Sequence, residues 1–287
     1  MAPAEWTLIE GVTSTVGKRP IVAYATPKRV KIQKTVHPKG RMRSYCKEDP
    51  ESIQEMFSTI AERYDAGNAA LSLQLFRLWN KRLINQVLLP HPHQDILDLC
   101  CGTGEITFTY LKQLRKLGHP VPNGSITLMD FSEGMLRVAQ QKAAKIPSPK
   151  LHFIRGDAQA IPLPAASVDA VVIAYGIRNV VSPQLCLEET YRILRPGGRL
   201  GILELTRPNH ILLKLGHAVY LRIVVPILGR LITSNAKAYH YLQQSVQGFV
   251  SVPEMQNLMR LAGFQDSTSE SLTGGIATLF IGQKPII

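Results

Sequence analysis

From residue 94 onward, short apolar runs alternate strictly with amphipathic stretches, and this alternation leaves few folds open. Strand character lies at 96–100, 125–130, 151–157, 168–174 and 199–205. Helical periodicity fills the gaps at 106–117, 132–144 and 183–194. Strands this short and this continuously apolar are buried on both faces. Crossovers of this length join parallel neighbours through right-handed connections. A helix at 253–262 and strands at 265–272 and 276–283 complete the series. Thr273-Gly274-Gly275 between those strands fits a hairpin, so the last strand runs antiparallel. The expectation is an α/β fold, a doubly wound and mostly parallel seven-stranded sheet.

Two segments fall outside the alternation. Residues 1–48 show no sustained period and are broken by Pro20, Pro27 and Pro38, so they are expected to form an extended or disordered arm ahead of a domain spanning 49–287. At the start of that domain, apolar residues recur at helix spacing through Ile53, Phe57 and Ile60 and again through Leu71, Leu75 and Leu78. Residues 207–248 form a second interruption, expected as a helical insert that acts as a cap or a membrane-facing surface. Lys214, His217, Arg222 and Arg230 interrupt its apolar run, which makes a bilayer span costly.

Charge and cysteine content narrow the partners. The arm region 1–50 holds ten Lys/Arg against four Asp/Glu, a net of +6 out of +12 for the whole chain. With half the excess in one segment, the reading is contact with anionic lipid or solvent, not a dedicated nucleic-acid surface. Cys46, Cys100, Cys101 and Cys186 are not spaced as zinc ligands, so no metal is expected and a reducing compartment fits. Residues 11–47 are basic and acid-free like a transit peptide, but Glu5, Glu10 and the prolines argue against one. A cytoplasmic location, peripheral at the inner face of the membrane, is the expectation.

The first strand ends in Asp98-Leu99-Cys100-Cys101-Gly102-Thr103-Gly104. Ligands of doubly wound sheets bind at strand carboxyl ends, and glycines there admit close backbone approach. Two glycines separated by one residue, with no third before the helix, suit a nucleoside better than a pyrophosphate. Asp130 ends the second strand, where a carboxylate can accept both ribose hydroxyls; capping the helix that starts near Ser132 is its alternative role. Asp157 and Ala158 follow the third strand, placed for an adenine amino group, and Ala174 ends the fourth.

The order DLCCGTG, LMD, GDA and ILRPGG resembles the class I S-adenosylmethionine methyltransferases, a Rossmann-like fold. Gly176-Ile177-Arg178-Asn179-Val180, the segment 203–208 (LELTRP), YHYLQQSVQGF at 239–249 and RYDAGNAALSLQLFRLW at 63–79 extend the likeness. Over residues 52–283 the chain resembles the ubiquinone/menaquinone biosynthesis C-methyltransferase family. It departs where Ala69 follows Asn68 in place of Asp, and where Gln74 and Phe76 replace a Gly and a His.

The resemblance implies S-adenosyl-L-methionine as cofactor, bound by Asp98, Gly102, Thr103, Gly104, Asp130, Asp157, Ala158 and Ala174. It implies a polyprenylated hydroquinone as substrate, demethylmenaquinol or the related ubiquinol precursor, and is compatible with a homodimer. Arg178 and Asn179 would position the quinol or a water, with Tyr64 and Asp65 nearby. Arg178 suits a fixed cation facing developing phenolate charge and is too basic to accept a proton. The base stays open between His240 and Glu204. The rivals are a methyltransferase for another phenolic or sterol substrate and a non-catalytic cofactor-binding subunit of a quinone-synthesis complex. Strand four ends in AYGIRN, not the Asn/Asp-Pro-Pro-aromatic motif typical of nucleic-acid methyltransferases.

Overall fold

Alternate side chains along each central strand leave the sheet on opposite faces, and two hydrophobic clusters follow from that period of two. Ile96, Ile126, Leu128, Phe153, Val172 and Leu203 pack into one cluster, and Leu97, Leu99, Met129, Val171, Ile173 and Ile202 into the other. The computed structural model describes residues 22–23, 50–88, 94–120, 123–146, 150–208, 211–220, 222 and 236–286. The strands are β1 (Val22–Ala23), β2 (Ile96–Leu99), β3 (Ser125–Asp130), β4 (Lys150–Arg155), β5 (Val168–Ala174), β6 (Leu194–Leu205), β7 (Gln265–Leu272) and β8 (Ala277–Gln283). They lie in the order β1-β4-β3-β2-β5-β6-β8-β7. Pairing is parallel from β1 to β6, while β8 runs antiparallel to both β6 and β7.

The seven expected strands are all present, and β1 adds a two-residue eighth at the edge, parallel to β4. Apart from that strand, the proposed arm up to residue 48 lies outside the described residues, and so does Cys46. The expected start of the fifth long strand at residue 199 is corrected to Leu194. A bulge takes up the difference: Val168 pairs with Leu194, but Ala170 already pairs with Arg199, and Gly197 turns through φ +80° between them. Strand β4 stops at Arg155, two residues short of Asp157.

The helices are α1 (Pro50–Ile60), α2 (Tyr64–Leu71), α3 (Leu75–Val87), α4 (Glu105–Lys116), α5 (Glu133–Ala143), α6 (Pro183–Ile193), α7 (Ile211–Val219), α8 (Ala236–Gly248) and α9 (Val252–Leu261). Helices α3, α4 and α5 cover the first face of the sheet, α6 and α9 the second. Ser132 and Ser182 cap α5 and α6, and Ser251 with Glu254 forms a full capping box on α9. Leu78, which the sequence pattern aligned with Leu71 and Leu75, is exposed. The chain breaks at 72–74, where Leu73 and Gln74 are left-handed, and the reset phase buries Phe76, Trp79, Asn80 and Leu83 instead. Gln74, with φ +67°, holds a conformation that glycine would adopt without strain.

The insert contributes α7 and α8, and most of the chain between them lies outside the described residues. Among the described residues, no helix is long and apolar enough to cross a membrane. The chain runs from β2 outward through β3 to β4, then returns to the other side of β2 with β5. Between β2 and β5 their connections therefore diverge, which opens a crevice at the strand carboxyl ends.

Candidate active site and cofactor pocket

The loop after β2 is shaped by left-handed backbone: Cys100, Gly102 and Gly104 have φ of +55°, +54° and +79°. A Cβ on Gly104 would stand 2.5 Å from the Phe108 ring, so glycine is needed there on both conformational and steric grounds. Opposite this loop, Gly176 after β5 lies so close to Cys100 that a side chain would collide with it. Both cysteines of the loop are thiols pushed well up by burial, which leaves them as small apolar groups.

Three strand-end acids converge on the crevice. Asp98 is buried, and its Oδ2 accepts from the Thr107 hydroxyl at 2.6 Å and the Thr107 N–H at 3.2 Å. Burial raises it to about 7, the charge of Asp130 adding to the shift and the Thr107 bonds opposing it. Asp130 accepts from the Gly102 N–H on Oδ2 and the Ser132 N–H on Oδ1, both at 2.8 Å. These bonds lower its affinity for a proton, yet burial outweighs them and the group is raised. Capping of α5 falls to Ser132, so Asp130 keeps about half of a carboxylate's four acceptor positions for a ligand. Asp157 holds the Gln159 N–H at 2.9 Å, with Ala158 buried beside it.

For Asp98 the raised value means the neutral carboxyl is favoured in the fold. That stability is complete below the ordinary value of 3.8 and is lost as pH rises through about 7. Thermal melts of the ligand-free protein should therefore fall between about pH 5 and about pH 8, and Asp98→Asn should flatten that decline. An unchanged slope in the variant would assign the decline to another group.

The cavity wall is formed by Asp98, Gly102, Thr103, Asp130, Asp157, Ala158 and Ala174 from the cofactor set, together with Tyr64 and Asn179. Gly104 stands just behind, as the N-cap of α4. Arg178 is not on the wall. Its guanidinium is buried, with Nη1 2.5 Å from both Glu204 Oε1 and the Tyr175 carbonyl, and its Nε has no partner among the described residues. Neither candidate base faces the cavity: Glu204 is fully buried against Arg178, and exposed His240 bonds Gln244 at 2.9 Å.

Several residues join the site whose individual roles the sequence did not single out. Lys142 on α5 reaches Asp65 at 2.5 Å and the Thr103 hydroxyl at 3.0 Å, while Thr103 donates to Asp65 at 2.6 Å. This cluster ties α2 to the glycine loop. Tyr241 on α8 donates to Asn179 at 3.0 Å, and its ring and that of Tyr64 each meet Phe57 edge-on. Tyr175, also left-handed at φ +58°, donates to Asn80 at 3.1 Å.

S-adenosylmethionine fits this donor set. Its sulfonium and ammonium are cations, and Asp65, Asp98, Glu105, Asp130 and Asp157 line the wall with no Lys, Arg or His among the lining residues. Asp130 offers acceptors for a ribose, and Ala158 and Ile53 offer apolar surface.

The model of the ubiE/COQ5 methyltransferase family matches residues 45–284. A demethylmenaquinone methyltransferase of Protochlamydia amoebophila is 42% identical over 248 residues, covering 85% of this chain and all of that protein. The demethylmenaquinone methyltransferase of Staphylococcus aureus strain JH9 is 34% identical over 238 residues, covering 83% and 95%. Among solved structures, a methyltransferase of Thermotoga maritima described as S-adenosylmethionine-dependent, with histamine suggested as its substrate, shares the fold. Its TM-score is 0.53 at 18% identity, over 80% of this chain and 99% of that one. The glycine loop, the three strand-end acids and a likeness that spans nearly the whole length of these relatives agree: the chain belongs to the ubiE/COQ5 methyltransferase family and is an S-adenosylmethionine-dependent methyltransferase.

Proposed function

We propose that this enzyme methylates a ring carbon of demethylmenaquinol, or of the related ubiquinol precursor, in respiratory quinone biosynthesis. The observation that carries this reading is the near-complete alignment with relatives named demethylmenaquinone methyltransferase. The cavity supports it: beyond the acids, the wall is apolar or neutral, with Ile53, Phe57, Phe76 and Val180 suited to a ring and the root of a prenyl tail.

S-adenosylmethionine supplies an electrophilic methyl group when bound. The protein's task is to make the ring carbon electron-rich and to hold it in line. Tyr64 is raised by burial, with Arg178 pulling the other way, so its hydroxyl stays protonated and donates to the quinol oxygen. Asn179, its Oδ1 occupied by Tyr241, keeps its N–H donors for the same oxygen. Arg178 acts from one layer behind, fixing the Tyr175 carbonyl and the 177–179 turn while its charge favours phenolate at Tyr64's side. In this role it positions and polarises without touching the ring.

A prenylated substrate resides in lipid, and the surface offers a contact. Leu213, Leu215 and Val219 are exposed on α7, with the cations Lys214 and Arg222 also exposed in this insert. Peripheral binding to an anionic membrane is part of the proposal. The test is mass spectrometry of quinones in cells lacking the gene. Accumulation of the unmethylated precursor, reversed by this chain, is expected. An unchanged quinone pool, or an altered sterol instead, would overturn the substrate. Turnover of demethylmenaquinol by the purified protein separates an enzyme from a non-catalytic subunit.

A further inference from the structure

The cofactor carries one anionic group, the carboxylate of its methionine portion, in a cavity whose wall holds five acidic residues and no cationic side chain. A carboxylate without a cation is held by neutral N–H donors. Two sources of such donors meet in this cavity. The first turn of the twelve-residue helix α4 contributes Glu105 and Ile106 to the wall. Its N-cap, Gly104, has no side chain to cap it, and Asp98 takes the Thr107 amide, which leaves the Glu105 and Ile106 N–H groups for a ligand. The second source is Asn80 on α3. This side chain is 1% exposed, yet it lines the cavity. Its Oδ1 accepts from the Tyr175 hydroxyl at 3.1 Å, and its amide nitrogen has no hydrogen-bond partner among the described residues.

Because Asn80 lines the cavity and only its Oδ1 is engaged within the protein, its N–H groups are left for a ligand acceptor. Tyr175 is itself held in a left-handed conformation, φ +58°, by its N–H bond to the Leu203 carbonyl at 2.7 Å. With the Tyr175 hydroxyl on its Oδ1, Asn80 has its –NH2 left for a ligand in the cavity it lines. We propose that the carboxamide of Asn80 binds the carboxylate of S-adenosylmethionine together with the first turn of α4, and that Tyr175 is the positioning residue that sets the amide's orientation. The assignment rests on the cofactor reading above.

The test is calorimetric binding of three ligands to the full chain and to Asn80→Asp, Asn80→Leu and Tyr175→Phe, with thermal melts alongside. The ligands are S-adenosylmethionine, decarboxylated S-adenosylmethionine and 5′-methylthioadenosine. Asn80→Asp keeps size and the acceptor for Tyr175 but replaces the donor with a repelling acceptor. It should weaken S-adenosylmethionine about tenfold or more, the scale of a hydrogen bond to a charged group. Decarboxylated S-adenosylmethionine should lose no affinity, and 5′-methylthioadenosine should change by less than about twofold. Tyr175→Phe should weaken S-adenosylmethionine by roughly threefold, again sparing the ligands that lack the carboxylate.

Equal losses for all three ligands would make Asn80 a packing residue and overturn the assignment. Unchanged S-adenosylmethionine affinity with a raised KM for the quinol would move Asn80 to the substrate and overturn it as well. Failure of the wild-type protein to bind S-adenosylmethionine would instead refute the cofactor reading.

Discussion

Arg178→Ala should destabilise the protein by about 3–5 kcal/mol and slow methyl transfer roughly 100-fold or more. Arg178 and Glu204 are a buried ion pair at 2.5 Å, and Glu204 also accepts the Arg178 and Leu205 backbone N–H groups. Removing the guanidinium strands a carboxylate that burial already raises, and Arg178 is the strongest influence holding it ionised. The loss in stability and the loss in turnover have different origins, so they can be separated. Pairing Arg178→Met with Glu204→Gln removes both charges and should recover most of the melting temperature. Turnover, measured as single-turnover transfer at saturating cofactor, should stay low because the turn at 177–179 has lost its anchor at the Tyr175 carbonyl. Arg178→Lys keeps the charge without the planar fork and should recover part of the activity. If the double variant regains both stability and turnover, Arg178 is purely structural and its proposed part in catalysis is wrong.

Loss of Asp130 is the second large effect, and it falls on binding. Asp130→Ala should weaken S-adenosylmethionine by about 1.5–3 kcal/mol, the range for hydrogen bonds to a charged group, or roughly 10- to 150-fold in Kd. Part of that loss is indirect, since the same carboxylate anchors the Gly102 N–H at 2.8 Å and so sets the glycine loop. Asp130→Asn retains one acceptor for the loop but loses the charge, so its affinity should fall between wild type and Asp130→Ala. Calorimetry showing full affinity in Asp130→Ala would remove Asp130 from the cofactor site.

The cofactor half was legible because each of its features is local. Strand ends are marked by where an apolar run stops: Asp130 and Asp157 follow such stops, and Asp98 stands in the first run just ahead of its glycine loop. Gly102 and Gly104 are required by backbone geometry within a few residues of β2. The same locality explains the misreadings. The helix phase inferred through Leu71, Leu75 and Leu78 failed because the left-handed pair Leu73 and Gln74 interrupts it, and neither residue type announces such a turn. The bulge at 194–199 hid the true start of β6 behind a Pro-Gly-Gly stretch that reads as a loop.

Periodicity and turn chemistry thus determined the doubly wound sheet, its antiparallel last strand and the nucleoside pocket, since these depend on forces between near neighbours along the chain. The partners of the charged and polar groups were decided by tertiary packing alone. Lys142 meets Asp65 across 77 positions, Tyr175 meets Asn80 across 95, and Tyr241 meets Asn179 across 62. Arg178 carries the same side chain whether it faces substrate or is buried, and its pairing with Glu204, 26 positions on, put it behind the wall instead of on it. Such pairings depend on which helix faces pack against the crevice and on how much water they exclude, and desolvation at that distance leaves no mark on local sequence.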